Sequence, residues 1–282
     1  MIIFKESLGI GAYLEKQRQK GESIGFVPTM GALHRGHMAL IETSVKNAGL
    51  TVCSIFVNPT QFNDPADFAK YPVTLENDLK LLAENGADIV FLPEVSGIYP
   101  TGMDQLSHYP LGQLETILEG KYRPGHFQGV CQVVHRLLDI VQPDILYMGQ
   151  KDYQQCMVVQ RLIDTFNIHA RLETCSTIRE DSGLALSSRN MRLSEEDRSK
   201  ASEIYRTLSE IKKLLKPGTL LPLKENAIMH LTDAGFKVDY LEICHARDLT
   251  ILDTWDGKVP VIALAAAFLS GVRLIDNLVL NA

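Results

Sequence analysis

The chain has 282 residues, 45% of them hydrophobic and 22% charged, the balance of an ordinary globular protein long enough for two domains. Its 28 Lys and Arg against 34 Asp and Glu leave a formal net charge of −6, which argues against a nucleic-acid partner. A polyanionic substrate would therefore have to be held by a local cluster of cationic groups.

In chain order, short apolar runs alternate with helical patterns up to about residue 177. Strands are expected over residues 23–27, 51–57, 89–92, 145–148 and 170–175, with the first breaking at Pro28. Helices are expected over 36–47, 75–85, 130–141 and 153–166, and Gly49 and Gly86 fall where helices should end. Strands alternating with helices imply a parallel sheet covered on both faces. From Ser194 the texture changes. S-E-E-D opens one helical run to about Lys216, with Ser194 as N-cap, and Pro217 and Gly218 end it. A helix over 223–234 and strands over 238–244, 259–268 and 273–279 follow. The expected fold is α/β: a Rossmann-like parallel-sheet N-terminal domain over 1–177 and a smaller α+β C-terminal domain over 178–282. The segment 178–191, rich in small and polar residues, is expected to act as a mobile lid.

The start, M-I-I-F-K-E-S, has neither a signal-peptide core nor an Arg-rich amphipathic pattern. The most apolar segment, 259–269, is shorter than the roughly 20 residues that span a bilayer. Cys53, Cys131, Cys156, Cys175 and Cys244 form no C-x-x-C pair and are odd in number. Reduced thiols, a cytoplasmic location and no membrane partner are expected.

Three segments carry chemistry. F-V-P-T-M-G-A-L-H-R-G-H (26–37) places His34 and His37 three apart where a strand passes into a helix. A helix start presents unpaired N–H groups and the positive end of the dipole, so two imidazoles there suit a phosphate chain. They could instead simply cap the helix. M-G-Q-K-D-Y-Q-Q (148–155) puts Gly149 where a ligand can approach the backbone and Lys151 where a cation can meet a phosphate. Asp152 suits either a cap or a ligand contact. L-S-S-R-N (186–190) sets two hydroxyls beside a guanidinium, a phosphate cradle if it is not merely a solvated loop. A cationic lid opposite H-x-G-H is the arrangement of class I aminoacyl-tRNA synthetases. Together the three indicate attack on the α-phosphate of ATP with loss of pyrophosphate. F-V-N-P-T-Q-F (56–62) adds Asn58 and Gln61, amides suited to hydroxyl and carboxylate groups, although N-P-T-Q alone is a turn. In Y-R-P-G-H-F-Q-G (122–129), Arg123 and His126 either bind substrate or order a surface loop.

These segments, with Y-P (71–72), R-P-G-H-F-Q-G-V (123–130), Q-P-D (142–144) and R-L-I-D-N (273–277), resemble the pantothenate synthetase (pantoate–β-alanine ligase) family of the H-x-G-H nucleotidyltransferases, nearly end to end. The resemblance implies a ligase that joins (R)-pantoate to β-alanine through a pantoyl adenylate, using ATP with Mg2+ and releasing pyrophosphate and AMP. It implies an ATP site lined by Met30, Gly31, Ala32, Leu33, His34, Arg35, Gly36 and His37. Gly149, Gln150, Lys151 and Asp152 would complete that site, with Leu186, Ser187, Ser188 and Arg189, and Ile178 at the adenine. His37 would be a proton donor and His34 a phosphate contact, with Lys151 and Arg189 also catalytic. Gln61, Gln155 and Asn58 would bind substrate, and Asp78 matches an acid near the magnesium. A cytoplasmic homodimer is implied. The family often has Arg after Tyr-Pro, where this chain has Val73. Competing readings are another H-x-G-H nucleotidyltransferase of cofactor biosynthesis, a non-catalytic nucleotide-binding regulator, and a zinc site at His34 and His37.

Overall fold

The computed structural model describes residues 1–63, 65–103 and 107–281. The chain divides into two compact units, Met1–Gly149 with Gln154–Ser176, and Gln150–Tyr153 with Thr177–Ala282.

The first unit is built on six strands: β1 (Ile2–Phe4), β2 (Ile24–Thr29), β3 (Leu50–Ile55), β4 (Ile89–Phe91), β5 (Ile145–Gly149) and β6 (Arg171–Cys175). They lie in the order β1-β4-β3-β2-β5-β6, all parallel. The apolar runs are buried in the middle of this sheet because helices cover both faces. One face packs helices Ser7–Arg18, His126–Val141 and Tyr153–Phe166 through Ile10, Leu14, Val134, Leu138, Val159 and Leu162. The other packs helices Arg35–Asn47 and Leu75–Glu84 through Met38, Ile41 and Leu82. Strand order reverses between β2 and β5. Ligands of open α/β sheets bind beyond the carboxyl ends of the strands at such a reversal.

Several expectations shift. β2 does not break at Pro28 but runs on to Thr29, with Pro28 opposite Ser54 of β3. Pro28 shares the parity of Ile24, whose N–H and C=O face β5, and pairing with β5 ends at Phe26. The missing N–H therefore costs no ladder bond. The helix expected from residue 130 begins at His126, so residues 126–129 of the supposed loop 122–129 are its first turn. Gly125, at φ 79°, makes the left-handed entry that lets it start there. β1 and helix Ser7–Arg18 were not expected. β1 is three residues long, and the helix carries Gly9 and Gly11, so neither shows a strong periodicity.

Q-P-D joins helix to sheet. Gln142 ends helix His126–Val141 in the left-handed region, at φ 45° and ψ 59°. Asp144 then receives the Ile24 N–H at Oδ2, 2.7 Å away, while its own N–H donates to Ile24 O and its carbonyl accepts from Arg171 N–H. One residue thus sets β5 between β2 and β6.

The second unit holds β7 (Gly218–Thr219), β8 (Lys237–His245), β9 (Thr254–Trp255), β10 (Val261–Leu269) and β11 (Val272–Val279). β11, β10 and β8 form an antiparallel sheet, and β7 pairs with β9. Helices Glu203–Leu214 and Leu221–Asp233 build the core with it, through Leu208, Ile211, Leu231, Leu241, Ala263 and Leu274. The single helix expected from Ser194 is two, Glu195–Ala201 and Glu203–Leu214. Ser202 breaks it by donating its hydroxyl back to Ser199 O, 2.7 Å away. Ser194 caps the first of them by accepting the Asp197 N–H.

All five cysteines are free, and burial pushes the Cys53, Cys131 and Cys244 thiols up to about 12. Among the described residues no helix is long and apolar enough to cross a membrane.

Asp144→Ala is expected to lower stability to denaturant by about 1–3 kcal/mol, because Ile24 N–H loses a charged acceptor. Gln142→Gly should raise it, by up to about 1–2 kcal/mol of relieved left-handed strain. Equal midpoints for the two variants would contradict this account of the motif.

Candidate functional site

In the first unit the loop after β2 is held from below by one carboxylate. Asp78, on helix Leu75–Glu84, is 1% exposed. Its Oδ2 accepts the Ala32 N–H at 2.9 Å and its Oδ1 the Leu33 N–H at 2.8 Å. Thr74 adds a hydroxyl to Oδ1 at 3.0 Å. The turn Gly31–Ala32 has φ of 81° and 49°. For Ala32 that conformation costs about 1–2 kcal/mol, which the charge-assisted bonds to Asp78 offset. Thr29 Oγ1 donates to Ser54 O and accepts the Gly31 N–H, fixing the loop's other end to β3.

This loop delivers His34 and His37. His34 is the N-cap of helix Arg35–Asn47: its Nδ1 accepts the Gly36 N–H at 3.1 Å. His37 reaches back, and its Nδ1 accepts the His34 N–H at 3.2 Å. The ring centroids are 4.1 Å apart. The capping role is thus realised, and it has a chemical consequence. An Nδ1 that accepts an N–H carries no proton, so each neutral ring carries its proton on Nε2. Capping thus fixes the tautomer of each ring. Arg35 lies exposed between the two, and Gly36 supplies the capped N–H.

After β3, Asn58 and Gln61 have different tasks. Asn58 is 1% exposed. Its Oδ1 accepts from Tyr99 OH at 2.8 Å, and its Nδ2 donates to Gly129 O at 3.1 Å and Gln61 Oε1 at 3.2 Å. Burial raises the Tyr99 pKa, keeping that hydroxyl a donor. Gln61 is half-buried, and its Nε2 donates to Met30 Sδ. Asn58 therefore sets which way the Gln61 amide faces. His126 and Arg123 also act on this turn. Arg123 Nη1 lies 3.0 Å from His126 Nε2, so His126 donates Nδ1–H to Gln61 O at 2.8 Å. Gly129 is required for the approach, since a Cβ there would lie 2.2 Å from Thr60 O. The Q-Q pair divides in the same way. Gln154, 3% exposed, spends its carboxamide on Glu119 N–H, Leu114 O and Ile117 O. Gln155 is half-buried, and no hydrogen bond of its carboxamide occurs among the described residues. Gly149 ends β5 with nothing within 4 Å of where a Cβ would point.

In the second unit the turn Gln150–Asp152 places Lys151 Nζ 3.6 Å from Asp152 Oδ1, with only 17% of the Lys151 side chain exposed. Asn277 holds this turn through Gln150 O and Lys151 O, both at 2.9 Å. Asp276 binds the Arg179 guanidinium at both oxygens, at 2.6 and 2.9 Å. Burial pushes the Asp276 pKa up, and Arg179 opposes that shift. The segment expected to be a loose lid has its own internal order. Arg179 bridges to Ala185, Leu186 N–H donates to Ile178 O, and Ser187 Oγ caps the turn Ser188–Arg192 by accepting the Arg189 N–H. Ser188 is buried and Arg189 half-buried.

A family model described as pantoate-beta-alanine ligase matches residues 2–279. The chain belongs to the pantoate–β-alanine ligase family. It is 44% identical to a pantothenate synthetase of Cytophaga hutchinsonii over 271 residues, covering 95% of each chain. It is 43% identical to that of Shewanella woodyi, covering 99% of each. A pantothenate synthetase structure from Thermus thermophilus superposes with a TM-score of 0.92 at 39% identity, covering 100% of both chains. The pantoate-beta-alanine ligase from Francisella tularensis, complexed with beta-gamma ATP and beta-alanine, does so at 0.83 and 37%, covering 99% of this chain and 98% of that one.

Val73 is 78% exposed and lines a cavity of about 190 Å3 with Met30, Gly31, Ile55, Phe56 and Leu92. The cavity lies beneath the loop, and neither histidine lines it. Tyr99, Gly129, Arg179, Asp276 and Asn277 were given no task from sequence. One available signal was in R-L-I-D-N, where two adjacent polar residues stand inside a strand and so cannot both face one side.

Asp78→Asn should lower stability by about 1.5–3 kcal/mol in denaturant titration, since the amide turns an N–H toward Ala32 or Leu33 N–H. Unchanged stability would remove Asp78 as the loop's anchor.

Proposed function

We propose that this protein condenses (R)-pantoate with β-alanine through a pantoyl adenylate, in the cytoplasm and as a homodimer. Family membership over residues 2–279 supports the reaction. The observation that carries the mechanism is the reciprocal capping of His34 and His37, which leaves Nε2–H on each ring at a helix N-terminus.

In the first step the pantoate carboxylate attacks the α-phosphorus of ATP, and the bond to pyrophosphate breaks with its electron pair. His34 Nε2–H binds the phosphate chain, and His37 Nε2–H donates to the departing pyrophosphate. Lys151 and Arg189 stabilise charge on the phosphate oxygens. Gln61 and Gln155 orient pantoate, and Asn58 serves through Gln61. Leu186, Ser187, Ser188, Ile178, Gly149, Gln150 and Asp152 complete the nucleotide's surroundings. In the second step the β-alanine amine attacks the acyl carbon, and the bond to AMP breaks. No covalent enzyme intermediate is required, so the protein's work is alignment and charge stabilisation.

Magnesium fits this scheme as part of the nucleotide substrate. Asp78 spends both oxygens on the loop, and among the described residues no three His, Cys, Asp or Glu gather as a metal site. Mg2+ commonly enters such chemistry on substrate phosphates.

The test is isotope exchange between pyrophosphate and ATP. Exchange should require pantoate and proceed without β-alanine, and AMP should appear only when β-alanine is added. Lys151→Ala should cut exchange by about 10²-fold. His34→Asn keeps an N-cap acceptor but loses Nε2–H, so it should keep the wild-type unfolding midpoint and lose exchange. Exchange without pantoate, or full exchange in His34→Asn, contradicts the mechanism.

A further inference from the structure

β11 is an edge strand, VRLIDNLV, in which the adjacent polar pair Asp276 and Asn277 follows Leu274 and Ile275. Successive side chains in a strand point to opposite faces, yet both residues are buried, 5% and 2% exposed. Two adjacent buried polar groups carry a desolvation cost that only full hydrogen bonding removes. Both are fully bonded, each to an element with a charge-bearing tip.

Asn277 uses its whole carboxamide on the turn before helix Tyr153–Phe166. Nδ2 donates to Gln150 O and Lys151 O, both 2.9 Å away, and Oδ1 accepts from Gln150 Nε2 at 3.3 Å. No other amide orientation satisfies two carbonyls and a donor together. The Lys151 peptide is therefore gripped at its own carbonyl oxygen. Asp276 takes the Arg179 fork, and its Oδ1 also accepts the Asn277 N–H at 2.8 Å. Arg179 is fixed further by Gly183 O, by Asn277 O and by stacking 3.9 Å over the Tyr205 ring. Its backbone bridges to Ala185, and Ala185 O accepts from Asn190 Nδ2. Two residues of one strand thus tie down both the turn bearing Lys151 and the hairpin leading into Ser187–Arg189.

We propose that Asn277 is a positioning residue for Lys151, and that Asp276, through Arg179, holds the Arg189 segment to the same strand, so that the two cations are presented as one rigid set for adenylation. This rests on the reading in which Lys151 and Arg189 stabilise charge on ATP. Both strand residues are buried and spend their side-chain polar atoms on these two elements and each other. Each acts through a cation whose displacement by about 1 Å can cost about 10²-fold in rate.

The experiment is a double-mutant cycle read by pantoate-dependent pyrophosphate–ATP exchange. Asn277→Leu keeps the volume and removes the three bonds. It should lower the maximal exchange rate by roughly 10–10²-fold and change KM for ATP by less than about threefold. Introduced into Lys151→Ala, it should cause no further loss, because its effect runs through Lys151. Arg179→Lys, which keeps the charge opposite Asp276 and loses the fork, should likewise add nothing to Arg189→Ala. Near-UV circular dichroism and thermal unfolding identify the folded variants. If Asn277→Leu does not fold, Asn277→Ser carries the same cycle. Losses that multiply in the double variants, or full exchange in a folded Asn277 variant, overturn the proposal. Full exchange in Lys151→Ala alone sinks instead the reading of Lys151 on which it rests.

Discussion

A single buried carboxylate organises the first unit's chemistry. The loop leaving β2 must turn sharply, enter a helix and present two imidazoles, and it does so with a non-glycine residue, Ala32, in the left-handed region. Nothing local favours that path. Asp78 supplies what is missing by taking the Ala32 and Leu33 N–H groups into a site shielded from water. In low dielectric such bonds are strong, and an unpaired Asp78 would be costly to bury. Loop and carboxylate therefore require one another. His34 then caps the helix as a geometric consequence, and His37 closes the box.

The same economy recurs along the chain: near a half-buried polar residue stands a buried one whose hydrogen bonds are made inside. Asn58 is buried and orients Gln61. Gln154 is buried in a web of backbone contacts, while Gln155 is not. Asn277 saturates itself on the peptide of Lys151. Residues that face a ligand gain little stability from facing it, so their orientation has to be enforced by fully bonded partners behind them.

Much of this was legible before the structure. Strand–helix alternation gave the parallel sheet, because a two-sided buried strand reads as a continuous apolar run. The histidine pair was legible because its spacing follows helix geometry. Less legible were contacts set by tertiary folding. Asp78 reads as an ordinary first-turn acid of a helix, and nothing in its neighbours says that its oxygens face a loop some forty-five residues earlier. The continuation of β2 through Pro28 depends on where β5 stops pairing, which is a property of the sheet and not of the segment. Helix His126–Val141 starts early because Gly125 can take φ 79°, a freedom that sequence allows without requiring. Gly129 is glycine only because the turn at Thr60 lies against it.

The central claim is that the loop carrying His34 is set by the protein itself before any nucleotide arrives. Amide hydrogen exchange of Ala32 and Leu33 in ligand-free protein tests it most directly. Protection comparable to the strand amides of Val52 and Phe26, unchanged on adding ATP, is the predicted result. Exchange as fast as an exposed turn, slowing only when ATP is added, would show that the ligand builds the loop and would contradict the account.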